Sequence, residues 1–181
     1  TQVPDAAQKL RAYPHELSGG LRQRVLIAQA LMTEPSLIFA DEPTTALDVT
    51  VQAQIMKLIS DLRREKQTAI VLISHDLELI AQECDQIIVM YGGTVMESGP
   101  PEVIFASPKH PYTQGLKASI PSLEGTKESV LPTIPGHPPH LKEPPKGCPF
   151  RQRCPMADQT CETTIPLRKL ENNHSIRCNK V

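Results

Sequence analysis

Two short apolar runs, separated by one helical segment, constrain the fold of this chain most strongly. The first run extends from Leu37 to Ala40 and the second from Thr68 to Ser74. Between them, apolar residues recur at steps of three and four, which predicts an amphipathic helix from about Val49 to Glu65. Short unbroken apolar runs are typical of strands buried on both faces of a parallel sheet. We therefore predict an α/β fold in which both runs are strands.

The alternation of strand and helix continues beyond the second run. A helical pattern begins at Leu77, and residues 86–91 form a third apolar run. Gly92 and Gly93 then mark a tight turn to residues 94–97, as in a β-hairpin. This order is typical of α/β sheets with right-handed crossovers, whose ligands bind at the carboxyl ends of the strands.

Proline divides the chain into two parts. Four of the 18 prolines precede residue 99 and fourteen follow it, so we expect a domain boundary near Gly99. The predicted α/β domain covers residues 1–98. Residues 99–181 are expected to form a proline-rich extension of irregular chain with short helices.

Charge and hydropathy argue against several classes of partner. The formal net charge of -1 lacks the basic excess that is typical of nucleic-acid binding. No apolar run approaches the roughly 18 residues that a membrane span needs. We expect a chain that is at least partly globular, that does not itself cross a membrane and that has no nucleic-acid partner.

Polar residues follow both predicted strands. Asp41 and Glu42 end the first run, and His75 ends the second. Taken alone, the acids could cap the next helix, and the histidine could be an ordinary surface or core residue. Their shared position at strand ends favours a site. The first carboxylate can hold Mg²⁺, while the second can orient and deprotonate an attacking water.

A glycine-containing loop precedes the first long helix. Leu17, Ser18, Gly19 and Gly20 lead directly into a helical pattern, and the free N–H groups of a helix N-terminus bind anions such as phosphate. No Gly-x-x-x-x-Gly-Lys-Ser/Thr loop occurs in the 181 residues. The chain thus has a phosphate-facing loop without the lysine loop that normally cradles a nucleotide.

The order and spacing of these segments resemble the ATPase subunits of ABC transporters. Residues 17–20 resemble the signature loop, Asp41 the Walker B aspartate and Glu42 the catalytic glutamate. Asp48, at the end of Ala-Leu-Asp, resembles the D-loop aspartate, and His75 the switch histidine. The resemblance implies an incomplete P-loop NTPase domain that uses ATP and Mg²⁺.

Three longer stretches narrow the resemblance to the oligopeptide and dipeptide importer branch. They are residues 13–20, 40–54 and 110–113. The resemblance implies a peripheral subunit on the cytoplasmic face of the inner membrane, where ATP hydrolysis powers peptide import. It also implies a second ATPase subunit, identical or different, transmembrane permease subunits and, indirectly, an external substrate-binding protein. A metal chelate or a sugar is the alternative substrate.

The family resemblance also assigns roles to individual residues. Two subunits enclose two ATP molecules, each held by the P-loop of one subunit and the signature loop of the other. Asp41 is expected to position Mg²⁺, Glu42 to polarise water and His75 to contact the γ-phosphate. Leu21 replaces the glutamine that is common in the wider family, and a phosphate contact through the preceding serine and glycines does not depend on it. The residues expected to face the partner's ATP are Ser18, Gly19, Gly20 and Asp48.

The missing P-loop leaves two hypotheses open. In the first, the chain is the C-terminal part of a longer subunit and is inactive alone. In the second, it is an interaction module that completes the nucleotide site of a partner ATPase. An ABC-type ATPase of DNA repair or translation is not favoured, because basic stripes, a coiled-coil insert and a duplicated domain are absent from the sequence.

Four cysteines lie in the proline-rich part, at positions 148, 154, 161 and 178. Four thiolates complete a tetrahedral zinc site or hold a [4Fe–4S] cluster. The importer branch often carries a similar arrangement, which resembles an iron–sulfur site. For Cys148, Cys154, Cys161 and Cys178 we therefore rank a structural iron–sulfur cluster first, zinc second and free thiols third. Two disulfides rank low, because the ATPase resemblance implies the cytosol.

His110, in the proline-rich part, is expected to have no catalytic role. His110 and Pro111 predict a turn and the start of a short helix, with proline at the first helical position. His137, His140 and His174 are expected to be exposed to solvent.

Overall fold

The computed structural model describes residues 3–120, 132–140, 142 and 145–181. The chain divides into two compact units, Thr1–Glu83 and Cys84–Val181. The division precedes the change in proline content near Gly99. The strands on either side of Gly92 pair with each other, and the second of them also pairs with a strand near the C-terminus. This sheet places residues 84–98 in the second unit.

The helices of the first unit begin where side chains cap them. The Ser18 hydroxyl accepts the N–H of Leu21 at 3.4 Å, and Asp48 Oδ1 accepts the N–H of Val51 at 2.9 Å. The predicted helices are confirmed, with bounds within a few residues of the expected ones. The α-helices of the unit are α1 (Ala6–Lys9), α2 (Gly19–Leu31), α3 (Val49–Lys66) and α4 (Leu77–Glu83).

A parallel pair of strands forms the sheet of the first unit. β1 (Leu37–Asp41) pairs with β2 (Ala69–Ile73) in a register that places Phe39 opposite Val71. Both strands alternate between exposed and half-buried residues, and Phe39 is 67% exposed. The prediction of burial on both faces is therefore wrong. Strand side chains point alternately to opposite faces, and one face of this pair is left exposed.

The second unit contains an antiparallel sheet. Its strand order is β3-β4-β6-β5, so the third apolar run does not join the sheet of β1 and β2 as the crossover pattern predicted. The hairpin is confirmed: Gly92 and Gly93 have φ values of +55° and +75°, which glycine adopts readily. The strands are β3 (Ile87–Tyr91), β4 (Thr94–Gly99), β5 (Arg168–Lys169) and β6 (Ser175–Ile176).

An aromatic cluster fills the core of the second unit. The Phe150 ring is 2% exposed and packs edge-on against Tyr91, with 5.2 Å between ring centroids, and against Tyr112 at 5.3 Å. The Arg153 guanidinium donates to the Ile134 carbonyl at 2.7 Å and to the Tyr91 hydroxyl at 3.1 Å. The proline-rich segment around residue 134 is thus attached to the core by defined contacts.

The histidines of the second unit differ in environment. His110 caps α6 (Pro111–Ala118) by accepting the N–H of Tyr112 at Nδ1, 3.0 Å away, which confirms the predicted turn and helix start. His137 and His140 are exposed, as expected. His174 is only 4% exposed, so its predicted exposure is wrong. Its ring is buried because it pairs with a buried carboxylate on β4.

Candidate catalytic and nucleotide-facing site

The parallel pairing of β1 and β2 brings the two predicted catalytic residues together. Asp41, the last residue of β1, is in register with Ile73, the last residue of β2. The N–H of Glu42 donates to the Ile73 carbonyl at 2.9 Å, which extends the ladder by one step. Glu42 and His75 therefore leave the sheet at the same edge, as the strand-end rule predicts.

The Glu42 carboxylate has hydrogen-bond partners on both oxygens. Oε1 lies 2.8 Å from Nδ1 of His75 and accepts the backbone N–H of the same residue at 3.2 Å. Oε2 accepts the hydroxyl of Thr45 at 2.8 Å. These contacts come from two different loops, one after each strand. They fix the direction in which the carboxylate points at the end of the sheet.

These contacts change the acidity of both groups. The pKa of His75 is raised, chiefly by its hydrogen bond to Glu42 and then by the charge of that carboxylate. The pKa of Glu42 is lowered, first by the hydrogen bond from His75 and second by that from Thr45. The pair therefore favours an ionised carboxylate, which is the form that can accept a proton from water.

The loop after β1 holds an unfavourable backbone conformation at Glu42. Its φ is +47°, and Ala46 in the same loop has a φ of +62°. Non-glycine residues rarely adopt this left-handed region, and such residues cluster at functional sites. The Thr45 N–H donates to the Glu42 carbonyl at 3.2 Å and closes a tight turn. Periodicity in the sequence gave no sign of this turn.

Asp41 is exposed at the end of β1, where it lines a cleft of about 220 Å³ between α2, β1 and α3. Mg²⁺ in phosphate-transfer sites is held by one or two carboxylates together with substrate phosphates and water. One free strand-end carboxylate fits that requirement. Among the described residues, no three His, Cys, Asp or Glu side chains converge as ligands of a metal ion.

Gly19 and Gly20 of the signature-like loop lie close to the residues on either side of Asp48. A β-carbon on Gly20 would lie 2.6 Å from Cγ1 of Val51, and one on Gly19 would lie 3.0 Å from Cδ2 of Leu47. The structure therefore brings the loop next to the segment that contains Asp48. Ser18 and Asp48 both cap helices, in addition to the nucleotide-facing role predicted for them.

The four cysteines of the second unit lie near one another. Cys148, Cys161 and Cys178 are buried and Cys154 is half-buried, and all four carry thiols rather than disulfides. The Cys148 N–H donates to the Cys161 carbonyl at 2.9 Å. Burial raises the pKa of Cys148 and Cys154, and the neighbouring thiols contribute to both shifts. Their side chains interact electrostatically, but within the described residues no three of them converge as ligands of a metal ion.

A lysine and an aspartate lie next to the thiols. The Lys180 ammonium pairs with Asp158, and this pairing raises the pKa of Lys180 and lowers that of Asp158 to about 2. The Lys180 N–H also donates to the Cys178 sulfur at 3.3 Å. Sequence reasoning did not single out this pair, because isolated charges in an irregular segment carry no pattern.

Comparison with protein families gives two matches along the chain. Residues 96–161 match the family described as oligopeptide/dipeptide transporter, C-terminal region, and residues 1–45 match the ABC transporter family. The first match contains most of the hairpin strand β4 and three of the four cysteines. The chain belongs to the ABC transporter ATP-binding proteins, in their oligopeptide/dipeptide branch.

Curated relatives extend these matches over almost all of the chain. The oligopeptide transport ATP-binding protein OppD of Haemophilus influenzae is 51% identical over 98% of this chain and 54% of its own length. The dipeptide transport ATP-binding protein DppD of Bacillus subtilis is 45% identical over 97% of this chain and 52% of its own length. The chain spans about half the length of the curated relatives it matches.

A solved structure with a similar sequence is cbiO1 from Clostridium perfringens, part of the ABC transporter complex cbiONQ. It is 38% identical over 51% of this chain and 37% of its own chain, with a TM-score of 0.48.

Proposed function

We propose that this chain is part of an ATP-hydrolysing subunit that powers peptide import, and that it carries the catalytic residues of that subunit at the carboxyl ends of β1 and β2. The pairing of Glu42 with His75 at the carboxyl ends of β1 and β2 is the observation that carries the proposal. Its relatives are named as oligopeptide and dipeptide transport ATP-binding proteins, and this supports peptides as the transported class.

In the proposed reaction, water attacks the γ-phosphate of ATP, the bond to the β-phosphate oxygen breaks, and ADP and phosphate form. Glu42 orients the water and accepts its proton, which requires the ionised carboxylate, the form that the hydrogen bonds from His75 and Thr45 favour. His75 contacts the γ-phosphate while it remains next to Glu42. Asp41 would hold Mg²⁺, which neutralises phosphate charge when bound.

The signature-like loop supplies the second half of a shared nucleotide site in this proposal. Ser18, Gly19 and Gly20 present the N-terminus of α2 to the phosphates of an ATP held by a partner subunit, with Asp48 beside them. A helix N-terminus favours an anion by only about 0.3–1 kcal/mol, so this loop completes a site rather than making one alone.

The proposed assembly places the chain at a membrane without crossing it. None of the helices in the described ranges combines the length and the apolar character that a membrane crossing requires. The proposed partners are a second ATPase subunit, transmembrane permease subunits and, through them, an external binding protein. The proposed location is the cytoplasmic face of the inner membrane.

The test is the substitution Glu42→Gln in a complete subunit. Such a subunit is made by joining this chain to the part of the Haemophilus influenzae relative that it does not match. We expect ATP turnover to fall by about 100-fold or more, since general-base catalysis contributes that much, while ATP binding stays unchanged.

The matched control is Glu34→Gln, which removes an exposed carboxylate elsewhere in the first unit. It should leave turnover at the level of the unsubstituted subunit. Near-normal turnover of the Glu42→Gln subunit would show that the proposed role of Glu42 is wrong.

For the cysteines, the proposal is a structural [4Fe–4S] cluster held by Cys148, Cys154, Cys161 and Cys178. The supporting observation is that the second unit holds four free thiols, three of them buried, although no three of them converge as ligands in the part of the chain that the structure describes. Zinc is the alternative, and thiolate ligands suit both. Burial is the main cause of the raised pKa of Cys148 and Cys154, with smaller contributions from the neighbouring thiols, and a bound cation would favour the deprotonated form of each ligand.

Anaerobic reconstitution with iron and sulfide tests the cluster. We expect a visible charge-transfer band and about four irons per chain, both lost in Cys161→Ser and kept in Cys84→Ser. Stoichiometric zinc without a visible band would show that the cysteines bind zinc and not an iron–sulfur cluster.

A further inference from the structure

We infer that Thr45 is a positioning residue, whose hydroxyl holds the Glu42 carboxylate in its catalytic orientation. This inference rests on the proposed function, since it assigns a task to a neighbour of the proposed base. The Thr45 hydroxyl donates to Oε2 of Glu42 at 2.8 Å. None of the sequence patterns singled out Thr45.

The two carboxylate oxygens of Glu42 have different hydrogen-bond partners, and this difference supports the inference. Oε1 faces His75, which contributes both its ring and its backbone N–H, while Oε2 faces Thr45. A carboxylate held through only one oxygen can still rotate about its terminal side-chain torsion, which has a broad energy profile. The hydroxyl on the second oxygen removes that freedom.

Thr45 and His75 differ in how they are connected to the base. Thr45 lies in the same turn as Glu42, with its N–H on the Glu42 carbonyl at 3.2 Å, so the two residues move together. His75 follows the neighbouring strand β2 and has a second proposed partner, the γ-phosphate. If the imidazole turns toward that phosphate, Oε1 becomes available to water, and Thr45 is the contact that keeps the carboxylate in place.

The chemistry of the contact agrees with this task. A hydroxyl that donates to a carboxylate stabilises its charged form, and the Thr45 hydrogen bond is the second largest cause of the lowered pKa of Glu42. Loss of the hydroxyl therefore has two expected effects on the reaction. The carboxylate is less well oriented, and it becomes protonated at a higher pH.

The experiment compares Thr45→Val with Thr45→Ser in the complete subunit. Valine keeps the shape and removes the hydroxyl, whereas serine keeps the hydroxyl. For Thr45→Val we expect kcat to fall about fivefold to tenfold, the equivalent of one hydrogen bond, with KM for ATP within about twofold. The acid limb of the pH profile should move to higher pH. Thr45→Ser should restore kcat to within about twofold.

The control is Thr50→Val, at an exposed threonine in the first turn of α3, which should leave kcat unchanged. Normal kcat and an unmoved pH profile in Thr45→Val would overturn the inference. Equal losses in the valine and serine variants would also overturn it, since the hydroxyl would then not matter. Circular dichroism of each variant, with Thr45→Ala as a second hydroxyl-free variant, checks that the fold is intact.

Parallel measurement of Glu42→Gln separates the two proposals. A loss of turnover in Glu42→Gln beside a normal Thr45→Val removes only the positioning role. Normal turnover in Glu42→Gln removes the proposed function itself.

Discussion

The carboxylate of Glu97 lies 2.7 Å from Nε2 of His174, and both side chains are buried. The same carboxylate accepts the backbone N–H groups of Lys109 and His110, at 2.6 and 3.1 Å. One acidic side chain on β4 therefore joins the turn before α6 to the turn before β6. This network explains why His174 is buried.

Replacement of this carboxylate should destabilise the second unit. In Glu97→Gln, the side-chain NH2 group replaces one carboxylate oxygen and faces at least one N–H group that this oxygen had accepted. A buried N–H group then has no hydrogen-bond acceptor. We expect the free energy of unfolding to fall by about 3 kcal/mol, as in other broken buried pairs. Urea unfolding followed by near-UV circular dichroism measures it, because Tyr91 and Tyr112 pack in this core.

The control for this prediction is Glu102→Gln, at an exposed position of α5 (Pro101–Ala106), which should change stability by less than about 0.5 kcal/mol. If Glu97→Gln unfolded at the same urea concentration as the unsubstituted chain, the network would not be stabilising.

Gly147, next to Cys148, should not accept a side chain without a loss of stability. Gly147 has a φ of +78°, and a β-carbon there would lie 2.2 Å from the Cys161 carbonyl oxygen. Gly93 has a similar φ of +75°, but its β-carbon would meet nothing within 4 Å. The two glycines thus separate the cost of backbone strain from the cost of a clash.

We expect Gly93→Ala to cost about 1–2 kcal/mol from the left-handed backbone alone. Gly147→Ala should cost at least about 2 kcal/mol more, because backbone atoms must move to make room. It should also separate Cys148 from Cys161 and reduce iron uptake on reconstitution. Equal stability of the two variants in urea would contradict the close approach.

Local patterns were sufficient to predict much of the first unit. Steps of three and four located α3 within a few residues of its observed ends, and the apolar runs located β1 and β2. The position of Glu42 and His75 at one edge followed from the rule that parallel strands present their carboxyl ends there, whereas their hydrogen bond was not predicted. The helix and strand predictions succeeded because each depends on the pattern of a short segment, and the shared edge follows from the parallel pairing of the two strands.

Other features depend on contacts that leave no local pattern. β6 has two residues, Ser175 and Ile176, and its pairing with β4 joins segments far apart in sequence. The buried position of His174 follows from that pairing, so a reading of its neighbours alone gave exposure. The same limit applies to Thr45, whose hydroxyl matters because of the conformation of one turn. Exposure of one face of β1 could not be predicted either, since its residues are apolar on both faces.

The contact between the signature-like loop and α3 yields a prediction for the first unit. A β-carbon on Gly20 would lie 2.6 Å from a methyl group of Val51, a flexible neighbour rather than backbone. We expect Gly20→Ala to lower stability by about 1 kcal/mol, since overpacking exceeds the gain in helix propensity. Val51→Ala in the same chain should recover most of that loss.

Thermal unfolding of the unsubstituted chain, the two single variants and the double variant forms a double-mutant cycle, which measures the coupling energy between the two substitutions. A favourable coupling of about 1 kcal/mol between the substitutions is expected for residues in direct contact. Additive effects of the two substitutions would show that Gly20 and Val51 do not touch in solution.

The His75 ring reports directly on its contact with Glu42. Its pKa is raised above the ordinary value of 6.5 because the carboxylate stabilises the protonated imidazole. In Glu42→Gln, the pKa of His75 should fall back toward 6.5, and in Glu34→Gln it should stay where it was. A pH titration of the imidazole ¹⁵N signals by NMR measures all three chains, without any need for nucleotide.

The directions of the two shifts also determine when the contact stabilises the fold. The raised pKa of His75 contributes stability that is complete below 6.5 and is lost as pH rises through the folded value. The lowered pKa of Glu42 contributes stability that is complete above 4.5 and is lost as pH falls through the folded value. The contribution of the pair is therefore greatest between about pH 4.5 and 6.5. Glu42→Gln should therefore lower thermal stability within that window and weaken its dependence on pH on either side of it. An identical His75 titration in both chains would show that the contact is absent.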